Sequence, residues 1–133
     1  MKRRTFVRLS AFSAVVIGIP SLNCRSRNPV LNKTLAQPFL LSRMCDAKTI
    51  REIGTTYREH SPAETKEEQL VALLLTDTAG NPVSKSSDSS VIHSLLERKI
   101  QNDFETGSTV IVKGWILSAT EARQCALYSL TQQ

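Results

Sequence analysis

The chain has 133 residues and a formal net charge of +5 from 17 basic and 12 acidic side chains, so it holds at most one domain. Four of the basic residues, Lys2, Arg3, Arg4 and Arg8, precede residue 24 and no acidic one does, which leaves the remainder near neutrality with signs interspersed, as in REIGTTYREH. Phosphate binding needs a clustered basic footprint, so nucleic acid is excluded as a partner.

Residues 1–8 form a basic region, followed by LSAFSAVVIGIPSL at 9–22, an apolar run broken by Gly18 and Pro20. Its fourteen residues are too short for a hydrocarbon core that needs about 20 in a helix. Residues 1–23 therefore read as an export signal. RRTFVR resembles the twin-arginine translocation signal, with Arg3, Arg4, Phe6, Val7 and Arg8 matching position by position, and Ser10, Ser13 and Gly18 dilute the apolar run as that pathway prefers. An ordinary secretory signal with two chance arginines is the other reading. The segment ends in SLNC, and a cysteine directly after the apolar run resembles the lipobox of bacterial lipoproteins, which would make Cys24 the lipid-bearing residue and the new N-terminus. Asn23 stands where that family has a small residue, and Leu22 lies one place nearer the cysteine than usual. Several acyl chains on Cys24 would hold the protein on a membrane without a spanning helix.

Residues 24–37 are polar, contain Pro29 and show no periodicity, so a tether is expected there and a helical domain over 38–133. After the short apolar stretch PFLLSRMC, Asp46 is placed to cap a helix carrying Ile50, Ile53 and Tyr57 on one face. Gly54 inside it costs about 1 kcal/mol against Ala unless close packing requires it. Ser61-Pro62-Ala63-Glu64 has the pattern of a capping box with proline at the first helical position, and the helix it opens would run through Leu70, Val71, Leu73, Leu74 and Leu75. That apolar face is wide enough to make this helix central. The segment from Thr78 to Pro82 ends it, and VSKSSDSS reads as a surface loop.

A third helix is expected from Asp88 or Ser89 to Glu105, with Ile92, Leu96, Ile100 and Phe104 as its stripe, Val91 and Leu95 beside them, and Glu97, Arg98, Lys99 and Asp103 on the charged face. Gly107 suits a left-handed stop. STVIVKGWIL is rich in β-branched residues but has no evident second strand, so an extended connector is expected before a last helix that Ser118 and Glu121 open. The fold class is all-α: a small bundle of about four helices with that connector before the last one.

Little in the body of the chain speaks for catalysis. His60, His93, Cys45 and Cys125 come from four separated places with no paired ligand spacing, so no metal site and no cofactor of the chain's own is expected. Cys45 and Cys125 have three readings: a disulfide that would stabilise by roughly 4.5 kcal/mol in the chain-entropy model, two buried thiols, or a bridge to another chain. Trp115, the one tryptophan, is either a core plug or an interface anchor. The second reading groups it with Ile116, Leu127 and Tyr128 as a docking surface, since the apolar residues of so short a last helix cannot all face one small core.

The twin-arginine route carries folded proteins, which is needed chiefly when a cofactor is inserted before export. A small chain with such a signal and the segment NDFETGSTVIVKGWILSATEARQCAL is similar to the small subunits of flavin-dependent gluconate, sorbitol and glucose dehydrogenases. The resemblance implies a non-catalytic subunit, not itself an enzyme, that escorts a large flavin-bearing dehydrogenase subunit into the envelope and docks on it through its C-terminal region. The lipobox-like SLNC departs from those soluble subunits and would make this one a membrane anchor too. The alternative is a free-standing envelope lipoprotein with a binding or structural role.

Overall fold

The computed structural model describes residues 29–132. The first element, α1 (Pro29–Ala36), is a packed helix within the tether expected over 24–37, whose residues 24–28 lie outside the described residues: Leu31, Leu35 and Ala36 are buried, and Leu35 is fully enclosed. Pro29 is no breaker there, because the first helical position has an amide with no intrahelical partner to lose. Leu31 and Leu35 stand one turn apart and share a face. Asn32 Nδ2 donates to Glu67 Oε1 at 2.7 Å, tying α1 to the body, so the domain begins at least nine residues before Pro38.

A single turn, α2 (Leu41–Met44), leads through Cys45 to α3 (Ala47–His60). Asp46 caps α3 as expected, its Oδ1 accepting from the Thr49 amide at 2.9 Å and the Thr49 hydroxyl at 2.6 Å. Those bonds hold the Asp46 carboxyl below the usual carboxylate range. Ile50, Ile53, Gly54 and Tyr57 face inward. Gly54 earns its place by proximity: a Cβ there would lie 1.9 Å from the Cys125 carbonyl oxygen, so any side chain must push two helices apart.

The box at Ser61 does not form. Pro62–Glu64 make one 3₁₀ turn with no side-chain cap from Ser61, and α4 (Glu67–Leu74) starts later, where Gln69 Oε1 accepts from the Lys66 amide at 3.3 Å. Glu64 is committed elsewhere: its carboxylate accepts two bonds from Arg123, at 2.8 and 3.0 Å, and one from the Tyr57 hydroxyl at 2.8 Å. A bidentate charge-assisted pair outweighs a neutral cap bond.

Helix α5 (Ser89–Thr106) buries Ile92, Leu95, Leu96 and Lys99, not the expected run of Ile92, Leu96, Ile100 and Phe104. A strict four-residue repeat drifts around a helix of 3.6 residues per turn, so Phe104 emerges on the surface and Lys99 turns inward. Gly107, with φ 74°, stops the helix.

The connector is a β-hairpin. Strand β1 (Thr109–Val112) pairs antiparallel with β2 (Trp115–Ser118), placing Val110 opposite Leu117, Ile111 opposite Ile116 and Val112 opposite Trp115. Lys113 and Gly114, at φ 50° and 81°, are the two left-handed residues that a type I′ turn requires. The apolar run thus holds its own strand partner, folded back at Lys113-Gly114. Ser118 ends β2 and caps α6 (Ala119–Thr131), its hydroxyl accepting from the Glu121 amide while Glu121 accepts from the Ser118 amide, each at 3.0 Å.

Helix α6 is the axis of the molecule. It packs against α1, α3, α4 and α5 and buries Ala122, Cys125, Ala126 and Leu127. The described residues are mostly helical, with six α-helices around one hairpin where about four helices were expected.

Candidate functional site

The residues expected to direct export and anchoring, Arg3, Arg4, Phe6 and Cys24, lie outside the described residues. Of the expected docking set, the structure keeps Ile116 on the surface, 66% exposed beside its cross-strand neighbour Ile111 at 75%. Trp115 is half-buried on the inner side of the hairpin with Val112 and packs against the core. Leu127 is fully buried and cannot meet a partner. The surround of α6 accounts for it, since a helix covered on several sides can bury residues that point in several directions.

What remains at the surface is the outer side of the hairpin. Ile111 and Ile116 make an aliphatic pair there, and each strand of a two-stranded sheet keeps one edge outside the pair. The turn is tethered to α3 by Lys113 Nζ and Glu52 Oε2 at 3.4 Å, and the base is closed by the Ala119 amide donating to the Ser108 carbonyl at 2.9 Å. This aliphatic pair was hidden in the sequence because one strand, not two, was read from the run.

Cys45 and Cys125 are free thiols, so of the three readings of this pair the disulfide is not formed. Cys45 is half-buried and its Sγ donates to the Leu41 carbonyl at 3.2 Å. Burial, with Asp46 adjacent, pushes its thiol up. Burial pushes the enclosed Cys125 thiol much further up, with Cys45 adding to the effect. Thiols held protonated in this way are poor nucleophiles.

Cys45 and Tyr128 meet in an open cleft of about 370 Å³ that Lys33, Pro38, Ile50 and Gln132 also line. Its lining is mixed, with Gln37, Ser42 and Asp46 among the apolar side chains, an arrangement that offers both contact area and polar groups. His60 and His93 have local partners, Nδ1 of His60 lying 2.8 Å from the Thr56 carbonyl and Nε2 of His93 lying 3.1 Å from Glu97. Among the described residues no three His, Cys, Asp or Glu side chains gather as metal ligands would.

Two polar clusters brace the axis, one half-buried around Arg123 and Glu64 and one around the buried Lys99, and neither was legible as such. Arg123 holds the Glu64 carboxyl below the usual carboxylate range, while burial pushes the Tyr57 hydroxyl up. Lys99 donates to the Leu73 and Leu74 carbonyls at the end of α4, and burial, with Arg123 nearby, draws its ammonium down to about 8. Asp103 accepts from the Thr120 amide at 2.8 Å and so supports the start of α6. No family model, curated protein or solved structure matches the chain.

Proposed function

We propose that the protein is an exported, non-catalytic small subunit that escorts a large flavin-bearing dehydrogenase subunit and anchors it on the outer side of a bacterial membrane. The observation that carries the reading is the exposed Ile111–Ile116 pair on a hairpin with free edges. It lies inside the segment that resembles the dehydrogenase small subunits. Aliphatic side chains left in water gain by burial against a partner, and a free strand edge adds hydrogen bonds to a partner's sheet. The leader supports the same reading, since a twin-arginine signal on a chain for which no cofactor of its own is expected would serve a partner that carries one. Docking runs through Ile111, Ile116 and the hairpin edge, with Trp115 behind them on the inner side of the hairpin.

The test is a mild-detergent pull-down from the membrane fraction of the source bacterium. The wild-type chain should bring down a yellow flavoprotein, and Ile111→Ser/Ile116→Ser, which alters only exposed positions, should melt like wild type yet lose it. A chain that copurifies with no flavoprotein would turn the reading to the free-standing envelope lipoprotein.

A further inference from the structure

A second apolar surface lies around the one-turn helix α2. Phe39, Leu40 and Met44 are 43, 57 and 71% exposed, although they stand within six residues of one another. Leu40 is already in helical conformation, so Leu40 and Met44 lie one turn apart on one side of α2. Phe39 and Arg43 form a second such pair, with the Arg43 guanidinium 4.3 Å from the centre of the Phe39 ring. His93 meets the same ring edge-on at 5.3 Å, which fixes Phe39 against α5, where Val91 is also exposed. These side chains are held outward by a folded scaffold and not left there by a loose end.

Between residues 30 and 48 the exposed charged groups are Lys33, Arg43, Asp46 and Lys48; the Asp46 carboxylate is occupied as the cap of α3, Lys48 lies 3.9 Å from Glu52, and Glu97 lies 3.1 Å from the His93 that meets the Phe39 ring, so the cations that the face offers are Lys33 and Arg43. Apolar tips beside Lys33 and Arg43 suit the boundary of an anionic bilayer, where the tips enter the acyl layer and the cations sit among phosphates. The position in the chain agrees. Cys24 precedes Pro29 by five residues, which span at most about 18 Å, and α1 is about 12 Å long. An acyl chain on Cys24 would therefore hold the α2 face within about 30 Å of the membrane, and Val30, on α1 between the two in sequence, is 66% exposed.

We infer that Phe39, Leu40 and Met44, with Lys33 and Arg43 beside them, form the face with which the protein lies on an anionic lipid bilayer. The inference rests on the envelope-anchor reading of Cys24 for its orientation and adds a contact that needs no acyl chain.

The test therefore uses the full chain with Cys24→Ala, so that no lipid is attached, and vesicles of phosphatidylethanolamine and phosphatidylglycerol with brominated acyl chains. An indole introduced by Phe39→Trp should be quenched by the bromines, whereas one introduced by Ile111→Trp on the hairpin should not, each read against the parent signal of Trp115. Since the leader is common to every variant, differences belong to the face. Leu40→Ser/Met44→Ser should weaken vesicle partitioning about tenfold. Lys33→Ser and Arg43→Ser should each weaken it about fivefold on these vesicles and leave it unchanged on pure phosphatidylcholine. Unchanged far-ultraviolet spectra certify that each variant is folded.

An unquenched Phe39→Trp indole, or equal partitioning of all variants, overturns the inference, even where the lipidated wild type still fractionates with membranes through Cys24. Shielding of that indole only when a second protein is added overturns it in favour of a protein partner. Quenching that persists when Cys24 proves to be unlipidated upholds the face while removing the anchor.

Discussion

Lys99 occupies a position where charge and burial oppose each other. Its ammonium satisfies the last carbonyls of α4, yet burial brings its folded value to about 8, below the 10.5 of an ordinary lysine. Between those two values the unfolded chain binds more protons than the folded one, so this residue's contribution to stability rises as pH climbs from about 8 to 10.5 and is least favourable below 8. Thermal melts of wild type and Lys99→Met across that range should show the difference in Tm moving in the wild type's favour as pH rises. A constant difference would mean that the amine titrates as in water. Glu64 has the opposite sign: its lowered carboxyl stabilises above the ordinary carboxylate range, and that stabilisation is lost as pH falls through the folded value. Neither role was legible from sequence, since Lys99 belongs by pattern to a charged helix face and Glu64 to a cap. What decided both was a partner far along the chain, the end of α4 for one and Arg123 for the other.

Local signals read well at the scale of elements where neighbours supply the partner. Asp46 with Thr49, Ser118 with Glu121, and Gly107 at a helix end are all completed within three or four residues, and each stands as its sequence indicates. The hairpin and α1 were missed for a different reason. Lys113-Gly114 adopts a type I′ turn without the asparagine or aspartate that usually announces one, so its two strands looked like a single run. Helix α1 offers only two leucines in eight residues, too few for a periodic signal, and its stability comes from packing under α6. That difference is measurable. Leu35→Ala should cost about 3 kcal/mol in urea unfolding, because a fully enclosed leucine leaves a cavity. A tether residue would cost nothing.

Across the whole molecule, the architecture converges on the last helix. Helices α1, α3, α4 and α5 all pack on α6, Gly54 lets α3 approach its backbone, and Arg123 and Gln124 reach from it to Glu64 and to the Leu35 carbonyl. The sequence pointed instead to α4 as the central helix, because α4 is the more uniformly apolar; α6 holds the centre with small residues, Ala122, Cys125 and Ala126, which permit close contact on several sides. Removing residues 119–133 should accordingly abolish any cooperative thermal transition, as followed by circular dichroism, and not merely lower its midpoint. A chain is made from its N-terminus, and here α6 is made after all the helices that it covers. Until α6 has left the ribosome, α1, α3, α4 and α5 each keep an apolar side uncovered, so the nascent domain exposes its core for as long as that helix is missing.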